Sequence, residues 1–224
     1  MYNFDCLKNA LRSEGGFPLS EVILEKFLTL GDYKRIPAKT WLIEPESVDK
    51  SIWITASGVT KAVYFDGKKE YVLGFSGAGT ITMSPICYVT AKPAFCGFQT
   101  ITDCDMLRIK QKDFDNLLIE SHEFCHWMFG IMISQLCALE LKARMLSESD
   151  IISNYKNMVR RRLKLDDDKF DPNRPNLLDI VSSKDLASYL GITQSYLSNL
   201  RKMINEQSKR QRLTSKGAIC LQKK

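Results

Sequence analysis

Ser183-Lys184-Asp185-Leu186-Ala187-Ser188-Tyr189-Leu190-Gly191-Ile192-Thr193-Gln194-Ser195-Tyr196-Leu197-Ser198-Asn199-Leu200-Arg201-Lys202 is the stretch on which the reading of this chain turns. Ser183 is placed to cap a first helix whose apolar residues are Leu186, Ala187 and Leu190. Gly191 ends that helix, because a sharp turn needs a residue that tolerates a left-handed backbone. Thr193 then caps a second helix with Leu197, Leu200 and Ile204 on its buried side. Ala187 falls where two such helices approach most closely, and a large side chain there would force them apart. Ile192, Leu197 and Leu200 complete a small core that sets the crossing angle. An ordinary helical hairpin would accept many residues at each of these places, so the joint spacing of Ala, Gly, Leu and Leu is specific. The second helix presents Gln194, Ser195, Tyr196, Ser198, Asn199, Arg201 and Lys202 outward. Such a polar, amide-rich set can hydrogen-bond base edges and phosphates in a major groove.

Downstream, Ser208 to Leu221 reads as two short strands around Lys216-Gly217, the wing of a winged helix. Its Lys and Arg residues, Lys216 among them, would follow a phosphate backbone and make affinity salt-dependent. The charge distribution agrees. Residues 150–224 carry 16 Lys/Arg against 8 Asp/Glu, whereas residues 1–149 carry 16 against 18. The whole excess behind the net charge of +6 therefore sits in the last third, the footprint of a nucleic-acid-binding module joined to a near-neutral one. A solvated basic surface would give the same count, so charge supports the motif and does not replace it.

Upstream, an amphipathic helix is predicted from Ile151 to Leu165, followed by an acidic, proline-bearing loop around Asp166-Asp167-Asp168 and Pro172 to Pro175. Before that, a long helix runs from about Ser121 to Ser147. Cys125, Phe129, Met132, Leu136, Leu139, Ala143 and Leu146 step along it by four and three, the spacing of a coiled-coil seam. A second apolar row, Phe124, Met128, Ile131 and Ala138, lies beside the first. Two apolar faces need two partners, here its own β domain and a second protomer. Burial of the whole helix within one monomer is the competing reading.

Between Tyr33 and Ile109 the pattern is β-like, with short runs rich in β-branched and aromatic residues about every ten residues. They are Trp41–Ile43, Ser51–Thr55, Val59–Phe65, Tyr71–Phe75, Phe95–Ile101 and Met106–Ile109. Asp66-Gly67 between two of them is a hairpin signal. Many short, evenly spaced strands point to a barrel or jelly roll. The first thirty or so residues read as two helical pieces around Gly15-Gly16-Phe17-Pro18, the second capped by Ser20.

Bulk features narrow the classes. The 224 residues are 44% hydrophobic and 26% charged, the balance of a globular chain. The longest apolar run, Trp127–Leu139, holds Ser134 and Gln135 and is short for a bilayer span, and the N-terminus lacks the plan of a signal peptide. A cytoplasmic location without membrane contact is expected. Seven scattered cysteines (Cys6, Cys87, Cys96, Cys104, Cys125, Cys137 and Cys220) contain no Cys-x-x-Cys pair, which argues against a disulfide framework or a zinc ribbon. An enzyme is not expected. A cupin-type oxygenase needs a His/His/carboxylate set, and Tyr33–Ile109 contains no histidine. No serine or cysteine sits in a nucleophile-elbow context.

β-roll, long helix, winged helix-turn-helix: that order, with the motif residues of Ser183–Lys202, resembles the Crp/Fnr family of bacterial transcription regulators. The resemblance implies an α+β chain in three parts: a double-stranded β-helix (jelly-roll) sensor domain of cyclic-nucleotide-binding type over residues 1–120, a dimerisation helix over 121–148, and a winged helix-turn-helix over 149–224. It implies a homodimer that reads a roughly palindromic site in double-stranded DNA, with RNA polymerase and a small-molecule effector as further partners. Base contacts would come from Gln194, Ser195 and Asn199, and phosphate contacts from Arg201 and Lys202. The cyclic-AMP receptor members carry charged residues at the three base-reading positions, so the neutral set here implies a different operator.

The sensor half departs from the family pattern. Cyclic-nucleotide binders of the family open a short helix with Gly-Glu and place an Arg about ten residues later. Here Met83 and Ser84 stand at the first place and Ala94 at the second, with Phe95 beside it and Lys92 the nearest cation. Without a bidentate guanidinium a buried cyclic phosphate would be poorly neutralised, so tight cyclic-AMP binding is not expected. An effector pocket would draw on Thr80, Thr82, Met83, Ser84, Lys92 and Phe95. No cofactor and no metal site are expected. An iron–sulfur cluster needs about four convergent thiolates, which Cys87, Cys96 and Cys104 do not make up. Cys87, His122 and His126 are the suggestive haem ligands, and the two histidines, four apart on one helical face, fit a surface or capping role better. The alternatives are a protein-interaction module that binds no DNA, and an effector-independent regulator with a vestigial sensor domain.

Overall fold

The structure is a computed structural model that describes residues 4–14, 16–147, 151, 155 and 180–204. The chain forms two compact units, Met1–Ser147 and Glu148–Lys224. In the first, helices α1 (Phe4–Glu14) and α2 (Glu21–Thr29) precede eight strands. These are β1 (Asp32–Ile36), β2 (Trp41–Ile43), β3 (Ile52–Ser57), β4 (Thr60–Asp66), β5 (Lys69–Ser76), β6 (Ile81–Thr82), β7 (Gly97–Thr100) and β8 (Cys104–Ile109). Helix α3 (Pro85–Thr90) lies between β6 and β7, and α4 (Gln111–Glu120) and α5 (His122–Ser147) follow β8. The strands form two four-stranded sheets, β1-β8-β3-β6 and β2-β7-β4-β5, with antiparallel pairing throughout. The chain changes sheet at most steps, as a jelly roll does. The expected hairpin is present: Asp66 pairs with Lys69, leaving Gly67 (φ 58°) and Lys68 as the turn.

β3 shows why the strand pattern was not simply alternating. Ile52 to Ala56 are all buried. Ile52, Ile54 and Ala56 join Leu107 and Ile109 of β8 in a core with the helices, whereas Trp53 joins Cys104 and Met106 in a core with Leu42 and Ile43 of the other sheet. A sheet covered on both faces carries apolar residues on both. Aromatic rings knit the helical side: Phe27 lies 4.8 Å from Phe124 and 5.9 Å from Trp127. Truncating a buried aromatic of this kind to Ala costs about 3–5 kcal/mol.

Ser20 is the N-cap of α2 by backbone geometry, but its hydroxyl makes no cap bond. It donates instead to Glu123 of α5, as does its backbone N–H. Ser121 caps α5 by accepting from the Phe124 N–H at 3.1 Å. His122 and His126 are exposed, and His126 stacks on Phe17 at 4.0 Å between centroids, a surface packing role.

α5 corrects one expectation. Its 26 residues include an 18-residue window of mean hydropathy 1.3, long and apolar enough to cross a membrane by length and composition. Ser134 and Gln135 interrupt the apolar run in the sequence, yet a helix averages over such residues. The polar groups are committed locally: Gln135 Nε2 donates to the Ile81 carbonyl at 3.4 Å, and Lys142 Nζ to the Val72 carbonyl at 3.2 Å. Phe124, Trp127, Met128 and Ile131 are buried in the helical core. This helix is one wall of the β-roll unit. Its outer row remains uncovered: Phe129, Leu136 and Leu139 are 59%, 56% and 63% exposed. Ala138 of the second row is exposed as well, so that row is buried only through its first three members.

The helix predicted at Ile151–Leu165, the acidic loop and the wing with Lys216 lie outside the described residues, apart from Ile151 and a buried Tyr155.

Candidate nucleic-acid interface

In the second unit, α6 (Ser183–Tyr189) is followed by a tight turn and by α7, residues 194–204. The capping residue differs from the expected one by a single position. Ser182 holds the extended backbone of an N-cap (ψ 147°), and its hydroxyl accepts from the Asp185 N–H at 3.0 Å. Ser183 is the first helical residue, and its hydroxyl accepts from Arg201 Nη1 at 3.0 Å. A cap bond spans three residues, so of two adjacent serines only the one three before the free N–H can close it.

Gly191 has φ 69°, and around it the Gly191 N–H bonds to the Ser188 carbonyl and the Ile192 N–H to the Ala187 carbonyl. A non-glycine residue would be strained at that turn. Thr193 caps α7 as expected, its hydroxyl accepting from the Tyr196 N–H at 3.2 Å. Leu186, Ala187, Leu190, Leu197 and Leu200 are buried, and Val181, which the sequence reading left out, joins them. Ile204 is half-buried only. Thr193, Gln194, Ser195, Tyr196, Ser198, Asn199 and Lys202 are exposed, Arg201 is half-buried, and Ser183 is exposed at the start of α6. Successive exposed residues of α7 thus form one polar surface with two cations near its end.

The six residues named for an effector pocket differ in exposure. Thr82 and Ser84 are buried, Met83 packs against the helical core, and Thr80 is half-buried. Lys92 is exposed and Phe95 is 76% exposed. Ala94 is buried in the core between the sheets, its N–H on the Ser47 carbonyl at 2.8 Å. The start of α3 also offers an anion fewer backbone donors than a helix N-terminus ordinarily would. Ser84 caps it by accepting from the Cys87 N–H, and Pro85 at its first turn has no N–H to offer. Within α3, Tyr88 donates to Asp115 of α4, and burial together with that bond holds the phenol well above its ordinary pKa.

Cys87 is buried with Sγ 3.5 Å from the Ser47 carbonyl, and burial pushes the Cys96 and Cys104 thiols up, disfavouring the thiolate a metal needs. Among the described residues, no group of three or more His, Cys, Asp or Glu side chains could hold a metal ion.

No protein-family model matches the chain, and no curated protein matches it in sequence. Solved structures do. The c-di-GMP responsive global regulator CLP of Xanthomonas campestris superposes with a TM-score of 0.66 at 17% identity, over 84% of this chain and 93% of that one. A CooA mutant from Carboxydothermus hydrogenoformans gives 0.65 at 18% identity, over 88% and 84%. The chain has the Crp/Fnr fold. FixK2 of Bradyrhizobium japonicum gives 0.64 at 12% identity over 80% of this chain and 86% of its own, so the Crp/Fnr likeness takes in both units. Of these three, CLP is described as a global regulator that links cell-cell signalling to virulence gene expression. At such identities the likeness is one of backbone, and side-chain roles rest on this chain's own residues.

Proposed function

We propose that this protein is a Crp/Fnr-type transcription regulator, acting in the cytoplasm, that binds a roughly palindromic DNA site as a homodimer. The observation that carries the reading is the geometry of 182–204: two capped helices around a left-handed Gly191, with an exposed polar face ending in Arg201 and Lys202. α7 would lie in the major groove, with Gln194, Ser195 and Asn199 toward base edges. Lys216, outside the described residues, would add a phosphate contact from the wing. The uncovered row of α5, Phe129, Met132, Leu136, Leu139, Ala143 and Leu146, would meet its counterpart in the second protomer. RNA polymerase is a natural partner of such a dimer at a promoter.

The test is salt-dependent DNA binding. A protein with Arg201→Ala and Lys202→Ala is expected to bind duplex DNA more weakly and with a flatter dependence on log salt, by about 0.9 per lost phosphate contact. Asn199→Ala is expected to relax preference at one position of each half-site at a cost of about 1–3 kcal/mol. Unchanged affinity and slope in the double variant would leave a protein-interaction module as the better reading.

A second reading concerns the switch. The Ser84 cap and Pro85 at the start of α3, with the buried Ala94, favour a regulator that does not respond to cyclic AMP, and an effector-independent one is compatible with both. Isothermal titration with cyclic AMP is expected to show no binding below millimolar concentration, and low-micromolar affinity would overturn this. Among the described residues, Trp53 Nε1 and Thr55 Oγ1, on one face of β3, are buried without a hydrogen-bond partner, and any other effector would have to reach them there.

A further inference from the structure

The residues that join α6 to α7 on the polar side form a shallow cleft of about 230 Å³, lined by Ser183, Gln194, Leu197, Ser198, Arg201 and Lys202. That is below the roughly 300–1,000 Å³ of pockets that enclose whole small-molecule ligands, and it suits a single group. Its polar lining has no carboxylate. Arg201 is not a loose surface cation here, because Nη1 donates to the Ser183 hydroxyl across the cleft. A guanidinium has five N–H donors in a rigid fork, so most remain for a ligand, and the Ser183 O–H still has its own proton to donate. What the cleft can bind is therefore a compact anion with several acceptor oxygens.

We infer that this cleft seats one backbone phosphate of DNA, with Arg201 as the ligand and Ser183 as the residue that positions it. The inference rests on the DNA reading above and sharpens it. Ser183 acts through Arg201 rather than as an independent contact, and its hydroxyl ties the first helix to the very cation that meets the backbone. Holding the guanidinium in place before binding removes part of the ordering cost that a long side chain otherwise carries into a complex.

The experiment uses the full-length protein and a mixed-sequence 40-base-pair duplex, followed by fluorescence anisotropy across a salt series. Ser183→Ala, Arg201→Ala, Arg201→Lys and the Ser183→Ala, Arg201→Ala pair are compared, with thermal melts to confirm folding. Arg201→Ala is expected to weaken binding at least tenfold and to flatten the salt slope by about 0.9 per protomer. Ser183→Ala is expected to weaken binding roughly threefold to tenfold. The pair should bind no worse than Arg201→Ala alone, since the serine has nothing left to position. Arg201→Lys should keep the slope but not the affinity, because a point charge cannot engage hydroxyl and phosphate in one fork. If the pair loses the product of the two single effects, Ser183 does not work through Arg201 and the inference is overturned. If Arg201→Ala binds DNA with wild-type slope, the cleft holds no phosphate although the DNA reading stands. If the unmutated protein binds no duplex, both fall together.

Discussion

A protein carrying Leu136→Glu and Leu139→Glu is expected to sediment as a monomer and to lose about two orders of magnitude or more in affinity for its DNA site. The argument begins with exposure. Both leucines are more than half exposed on α5, within a row in which Phe129, Met132 and Leu146 are also uncovered. Their spacing is that of a coiled-coil seam, which buries such a row only against another helix. The opposite side of α5 is already occupied by Phe124, Trp127, Met128 and Ile131 in the helical core. Acidic residues at two central seam positions would place four like charges in a dry interface, a cost that association cannot absorb. The monomer should be nearly unaffected, because substitutions at exposed positions ordinarily change stability by less than about 0.5 kcal/mol. Affinity falls because a dimer binds its second half-site at high effective concentration, an advantage of about 10²–10⁴. Analytical ultracentrifugation and a shift assay on one preparation would check both halves. A double variant that still sediments as a dimer would place the second protomer elsewhere.

The same helix shows how far sequence alone can reach. Its inner row was legible through Phe124, Met128 and Ile131, which are buried, because helical periodicity repeats over many turns. The double-stranded roll was legible as a class, since Trp41–Ile43, the strand before Asp66-Gly67 and the strand after it all carry β-branched and aromatic runs. β1 escaped because Asp32–Ile36 is exposed at four of its five residues and includes Asp32, Lys34 and Arg35, so no burial pattern was written into it. β6 spans only Ile81–Thr82, too short for any periodicity. α3 has six residues and starts at a proline, and what makes it a helix is the Ser84 cap rather than an apolar face. In the candidate interface the Thr193 cap, the turn and the core leucines followed from spacing. The exchange of roles between Ser182 and Ser183 did not, because which of two neighbouring hydroxyls faces the free N–H depends on backbone angles. Nor could the Ser183–Arg201 bond be read, since eighteen residues separate its partners and only the folded turn brings them together. The effector residues were the least legible. Thr80, Thr82, Met83, Ser84, Lys92 and Phe95 are close in sequence, but they fall on a strand, in loops and at the cap of a short helix, with Thr82 and Ser84 buried and Lys92 and Phe95 exposed, and sequence spacing does not foretell those differences.

Ala187→Leu is the second substitution with a large expected effect, and it acts on the reader without touching its polar face. Ala187 is 1% exposed beside Leu186, Leu190, Leu197 and Leu200, and its carbonyl accepts the Ile192 N–H that closes the turn. Three added carbons have no space there, and overpacking of a close-packed site costs about 1–3 kcal/mol. Two routes relieve the clash. Either α6 and α7 move apart, which rotates Gln194, Ser195 and Asn199 away from their alignment, or the small core loosens. A core this size has little stability to spare, so both routes end in weaker DNA binding. The expected loss is between tenfold and a hundredfold, with the dimer intact by ultracentrifugation, because α5 belongs to the other compact unit. Ala187→Gly removes one methyl group and should cost much less in affinity, mainly through helix propensity of about 1 kcal/mol. That contrast separates a steric requirement from a merely helical one. If Leu and Gly at this position weaken DNA binding equally, close approach of the two helices is not what Ala187 provides, and the helix-turn-helix geometry loses its most specific sequence support.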